Sequence, residues 1–197
     1  MNLPNKLTMF RILMIPVFIA CFYLPETWVY ANCAGSALQT KYLIAAIVFL
    51  IAYVTDTLDG NIARKRNLVT DFGKLMDPTA DKLLSSAALI MLCRFEVMSM
   101  GNGFMPVFTF IIIAREIFVS GIRQLAASRG IVIAAKNIGK AKTTLQFAAL
   151  LVTILLGQVF SAIRIPIDFV LMCSAVILTV WSGIDYAMGS RDLFSDR

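Results

Sequence analysis

The 197-residue chain contains no histidine. That removes the side chain most often used as a general base near neutrality, and the commonest transition-metal ligand with it. Any acid–base or metal chemistry falls to carboxylates. Cysteine is scarce and unpatterned: Cys21, Cys33, Cys93 and Cys173 have neither metal-ligand nor redox spacing, and three of them lie in apolar runs where a thiol packs as a small hydrophobe. No disulfide framework is expected. Charged residues make up only 15% of the chain, against roughly 25% in soluble domains. There is no internal repeat and no low-complexity linker, so one domain is expected over residues 1–197. The formal charge of +6 raises nucleic acid as a partner, but no basic patch interleaved with aromatics sits on a polar module, and that class is set aside. An anionic membrane surface and an anionic substrate suit the charge.

What the chain has in abundance is apolar sequence: 59% hydrophobic residues and a mean hydropathy of +0.80. A hydrocarbon core takes about 20 mostly apolar residues per helix. Six stretches qualify, at 12–30, 42–63, 77–97, 104–127, 145–163 and 167–187. None is followed by a small-residue cleavage site, so the first is expected to be retained. Before it, residues 1–11 read as a short interfacial amphipathic helix, with Leu3, Leu7 and Phe10 at helical spacing among Asn5, Lys6, Thr8 and Arg11. The expected fold is therefore an all-α integral membrane protein: an interfacial segment at 1–11, a six-helix bundle at 12–187 and a tail at 188–197. With six spans both termini share a side. The loops on that side carry twelve Lys and Arg, and those on the other side carry only Lys41, Arg94 and Arg164. The positive-inside rule then places both termini in the cytoplasm.

Ionisable groups at membrane depth cost roughly 2.5–3.5 kcal/mol each on insertion scales, so they face partners or wet cavities. The second span ends with Asp56 and Asp59, followed by Gly60, Ala63 and Arg64, and the third begins near Gly73, Asp77 and Asp81. On a 3.6-residue helix, positions 56, 59 and 63 share a face, as do 73, 77 and 81. The short connection makes the two helices antiparallel neighbours, so four carboxylates can meet in one pocket. Such crowding is repulsive without cations, and hard oxygen donors suit Mg²⁺ or Mn²⁺, one or two ions per site. Small residues at 60, 63 and 73 leave room for a flat base or a pyrophosphate, and Arg64 offers a planar fork for phosphate oxygens. Helix capping would account for Asp77 beside Pro78, but not for the other three acids together.

These residues resemble the signature of the CDP-alcohol phosphotransferase family, D-x-x-D-G-x-x-A-R, eight residues, then G-x-x-x-D-x-x-x-D, matched at every fixed position from Asp56 to Asp81. The resemblance implies a six-helix homodimer in which Asp56, Asp59, Asp77 and Asp81 hold two metal ions. It also implies that Asp59, Gly60, Ala63, Arg64 and Gly73 bind the CDP moiety of CDP-diacylglycerol and that Asp81 is the general base. The opening from Asn2 to Thr8 with Arg11, the pair Arg115 and Glu116, and the run from Gly139 to Thr143 look like the bacterial phosphatidylglycerophosphate synthases within that family. By this likeness Asn5 and Thr8 approach the nucleotide, and the setting is the bacterial inner membrane.

The acceptor is read from the remaining cations. Arg115 and Arg123 lie two turns apart on the fourth span, while Lys140 and Lys142 cluster at the entry to the fifth. An acceptor carrying its own phosphate needs such a clamp, whereas serine or free inositol does not. Glycerol 3-phosphate is the simplest fit. Another alcohol, such as inositol phosphate, phosphatidylglycerol or serine, is the alternative within the enzyme class. A divalent-cation transporter, with intramembrane acids marking an ion path, is the alternative outside it.

Overall fold

A computed structural model describes the backbone of residues 3–33, 36–66, 71–129 and 137–190, and within these the side chains other than those of 3–6, 30, 33, 36–37, 56–66, 71–75, 77–78 and 137. It is 84% helical. Six helices follow in order: α1 (Leu3–Cys21), α2 (Thr40–Arg66), α3 (Asp71–Phe95), α4 (Met105–Ser128), α5 (Asn137–Ile163) and α6 (Ile167–Gly189). Three, over Asn102–Ser128, Ile138–Ile163 and Ile167–Gly189, are long and apolar enough to cross a bilayer, and Leu7–Cys21 and Thr40–Thr55 are shorter apolar helices. Those three are counted among the described residues alone.

Two expectations are corrected. The break at Arg11 between a flat segment and a first span does not exist, because α1 runs unbroken from Leu3 and buries Thr8 and Arg11 completely or nearly so. The first span also does not continue to residue 30. The helix stops at Cys21, and Pro25, which has no amide hydrogen and disfavours helix in the residue before it, keeps it from resuming. After it come β1 (Val29–Cys33) and β2 (Ser36–Gln39), an antiparallel hairpin pairing Val29 with Gln39 and Cys33 with Ser36.

The packing is that of a membrane bundle. Buried positions along the helix contacts are rich in alanine (Ala45, Ala52, Ala88, Ala149 and Ala175), which lets backbones approach closely. Large apolar side chains point outward instead: Phe110 is 73% exposed, Ile177 67% and Trp181 65%. An apolar exterior of this extent belongs in lipid. Between them lies a core of Phe18, Phe22, Phe49, Leu92, Met105 and Met172, with α1 on α2 and α3, α4 on α3 and α6, and α5 on α2 and α6.

Polar ties close the end that carries the hairpin. The buried Asp168 carboxylate at the start of α6 accepts from the Ser99 amide at 2.8 Å, from the Ser99 hydroxyl and from the Phe169 amide at 3.0 Å. The Gln39 amide donates to Gln158 Oε1 at 2.8 Å, fixing the hairpin to α5. Lys41 Nζ donates to Glu26 Oε1 at 2.8 Å, and that hydrogen bond holds the Glu26 carboxyl below its ordinary range. The tie therefore survives until the pH falls through that lowered value. Gly101, at φ +71°, makes the left-handed step into a single 3₁₀ turn before α4.

α5 touches the α3–α4 connection at Gly157, where a Cβ would stand 2.5 Å from the Val97 carbonyl oxygen. Backbone offers no rotamer to yield. Gly157→Ala is expected to destabilise the fold by about 1–3 kcal/mol through overpacking, read as a lower midpoint of thermal unfolding in detergent.

Candidate functional site

Three helix ends converge opposite the hairpin. Short connections make α3 antiparallel to α4, so the start of α3 and the end of α4 meet the start of α5 there. Between them lies a cavity of about 410 Å³ lined by Asp81 and Lys82 from α3, Arg115, Glu116, Ser120 and Arg123 from α4, and Lys140, Lys142 and Thr143 from α5. Among the described residues, five cations face two carboxylates.

Each cation is held in its own way. Arg115 Nη2 donates to Ser182 Oγ on α6 at 2.7 Å, and its buried Nε has no hydrogen-bond partner among the described residues. Arg123 donates through Nε and Nη2 to the Tyr186 hydroxyl at 3.2 and 2.7 Å, with its guanidinium 5.1 Å from the centre of that ring. Ser182 and Tyr186 are one turn apart on α6, so one buried face of that helix positions both guanidinium groups. Lys82 Nζ donates to Ser120 Oγ, whose own proton goes to the Glu116 carbonyl at 2.6 Å. Lys142, 2% exposed, makes a 2.7 Å ion pair with Glu116 Oε1. Lys140 stays exposed at the mouth.

A smaller pocket of about 20 Å³ adjoins the first through Asp81, Glu116 and Thr143, which line both. It reaches deeper between α2, α3 and α5, to Ser85, Gln146 and the stacked rings of Phe49 and Phe147.

The structure thus places Asp81, Arg115, Arg123, Lys140 and Lys142 around one cavity. The other signature positions are placed by backbone. Positions 56, 59, 60, 63 and 64 lie on the last turns of α2, and 73 and 77 on the first turns of α3, with α2 packed on α3. The side chains of Asp56, Asp59, Ala63, Arg64 and Asp77, and that of Asn5, are outside the described set. Thr8 is buried on α1. The sequence assigns Glu116 no task beyond its place in the Arg115–Glu116 pair. The rule that singled out the arginines, a charge inside a span, applied to it equally. Ser182 and Tyr186 carried no such flag.

The model of the CDP-alcohol phosphatidyltransferase family matches residues 1–181, nearly the whole chain. The chain belongs to that family. Relatives within the family agree along their length. A Bacillus subtilis (strain 168) protein named CDP-diacylglycerol–glycerol-3-phosphate 3-phosphatidyltransferase is 41% identical over 185 residues, covering 94% of this chain and 93% of its own. Proteins of the same name from Rickettsia felis and Shigella flexneri serotype 5b are 37% and 34% identical, covering 98% and 96% of this chain and 97% and 95% of theirs.

The Glu116–Lys142 pair gives a test of the site's electrostatics. Removing either partner strands a desolvated charge, so Glu116→Gln and Lys142→Met are each expected to cost about 3 kcal/mol. The double variant regains most of that, because neither charge remains. Thermal unfolding of the three proteins in detergent, set out as a double-mutant cycle, measures it.

Proposed function

We propose that this CDP-alcohol phosphatidyltransferase moves the phosphatidyl group of CDP-diacylglycerol to glycerol 3-phosphate, giving phosphatidylglycerophosphate and CMP. The observation that carries the reading is the cavity in which Asp81, the last residue of the family signature, faces Arg115, Arg123, Lys140 and Lys142. An acceptor bearing a dianionic phosphate is what such a cation excess binds, and relatives that span the chain are named for that acceptor. A divalent-cation path leaves the five cations that line this cavity without a task.

In this reading the acceptor phosphate sits on Arg115, with its open Nε donor, and on Arg123 and Lys140. Lys142 lends charge while tethered to Glu116. The acceptor's primary hydroxyl lies at Asp81, which takes its proton as the hydroxyl oxygen attacks the phosphorus bearing diacylglycerol. The bond from that phosphorus to the CMP oxygen breaks, and CMP leaves with the electron pair. No covalent enzyme intermediate is required. Gly60, Ala63, Arg64 and Gly73, together with Asp59, Asn5 and Thr8, make the nucleotide half of the site.

The donor set fits Mg²⁺ or Mn²⁺. Helical backbone runs through 56 and 59 on α2 and through 77 and 81 on α3, the two helices pack together, and Asp81 opens into the cavity. Asp56, Asp59, Asp77 and Asp81 would hold one or two ions, which when bound neutralise the pyrophosphate. The apolar exterior and the basic-loop count support six spans with both termini and the site at the cytoplasmic face of the bacterial inner membrane. A homodimer is part of the proposal on the family likeness.

Purified protein in detergent, given CDP-diacylglycerol, Mg²⁺ and labelled glycerol 3-phosphate, is expected to release CMP and form labelled lipid. Asp81→Asn lowers that rate at least about a hundredfold. Metal movement across vesicles without CMP release would replace the reading with a transporter. Arg115→Ala is expected to raise the KM for glycerol 3-phosphate about tenfold or more while shifting the donor KM much less. Equal shifts for both substrates would remove Arg115 from the acceptor clamp.

A further inference from the structure

α5 holds a polar side chain that the proposed chemistry leaves without a task. Gln146 lies between Leu145 and Phe147 at the start of a long apolar stretch, is only 3% exposed, and its Oε1 has no hydrogen-bond partner among the described residues. Buried amides of this kind are normally satisfied, and one left open is completed by water or a ligand. It lines the small pocket of about 20 Å³, whose other polar side chains are Tyr53, Asp81, Ser85, Glu116 and Thr143. That space takes one water or one hydroxyl, and no phosphate. Because the larger cavity shares Asp81, Glu116 and Thr143, the small one is an extension of the same site. Lys142 and Gln146 are one helical turn apart on α5, the first lining the phosphate-sized space and the second the hydroxyl-sized one.

The geometry points to Gln146 as a specificity-determining residue that hydrogen-bonds the second, non-reacting hydroxyl of the acceptor. The inference rests on the transfer reading above. With the acceptor phosphate on Arg115 and Arg123 and the reacting hydroxyl at Asp81, the middle hydroxyl of a three-carbon acceptor is the group left to fill a hydroxyl-sized recess beside Asp81. A primary amide suits it, since a hydroxyl both donates and accepts. An acceptor without that hydroxyl leaves the buried amide unmet and is rejected for that reason.

The test uses the full-length protein in detergent with CDP-diacylglycerol and Mg²⁺, reading CMP release with two acceptors. One is glycerol 3-phosphate. The other is 3-hydroxypropyl phosphate, which keeps the phosphate and the primary hydroxyl but lacks the middle one. Wild-type kcat/KM is expected to favour glycerol 3-phosphate at least about tenfold, and Gln146→Met, near in volume and without hydrogen-bonding groups, to bring the ratio within about threefold at an unchanged donor KM. Equal use of both acceptors by the wild type overturns the inference, and so does a Gln146→Met protein that loses activity on both in equal measure, the mark of a structural water or a packing role. Should that variant not fold, the wild-type ratio decides alone. Absence of CMP release with either acceptor overturns the transfer reading itself, a result distinct from equal use.

Discussion

Charge that has been taken out of water must be answered, and the interior of this bundle is arranged around that demand. Lys142 is nearly inaccessible and has Glu116; the arginines of α4 have hydroxyls on α6; Lys82 has Ser120. These partners are mostly neutral, so they fix direction without cancelling charge. A carboxylate partner for each arginine would have left a neutral pocket with little hold on an anion. Hydroxyl partners leave the cavity strongly positive. The acidic signature beside it has the opposite need, and the two halves meet at Asp81.

The helical class was legible from the length of the apolar runs, and the acids and cations proposed for the site because ionisable residues in such runs are rare enough to stand out. Spans four and six were placed to within a few residues, because Pro106 and Pro166 mark their starts and the apolar runs are unbroken. α5 starts some two turns before the expected 145, since Lys140 and Lys142 read as loop cations while in fact lying in its opening turns, one of them buried. The first span failed because a run of the right length and polarity was taken as helix through Phe22, Tyr23, Leu24 and Pro25. Proline and the β-branched and aromatic residues after it signalled a turn and strands, and hydropathy averaged that signal away.

Other parts were illegible in principle. Ser182 and Tyr186 are ordinary residues for a membrane helix, and nothing in their own neighbourhood says that they meet arginines some sixty positions earlier. Gln146 is equally mute until burial and an open carbonyl are seen together. Spacing rules reach along one helix or across one short loop; these relations are set by how α4, α5 and α6 pack.

The dependence of both arginines on one face of α6 separates the two halves of the proposed site along the chain. The acids occupy a stretch of 26 consecutive positions from Asp56 to Asp81, whereas the hydroxyls that aim the two arginines come from the final helix. A descendant that exchanged Ser182 and Tyr186 for other groups would swing both guanidinium forks at once and leave the acids untouched. New acceptors are thus within reach of a few changes in the final helix, with the nucleotide-lipid half inherited intact.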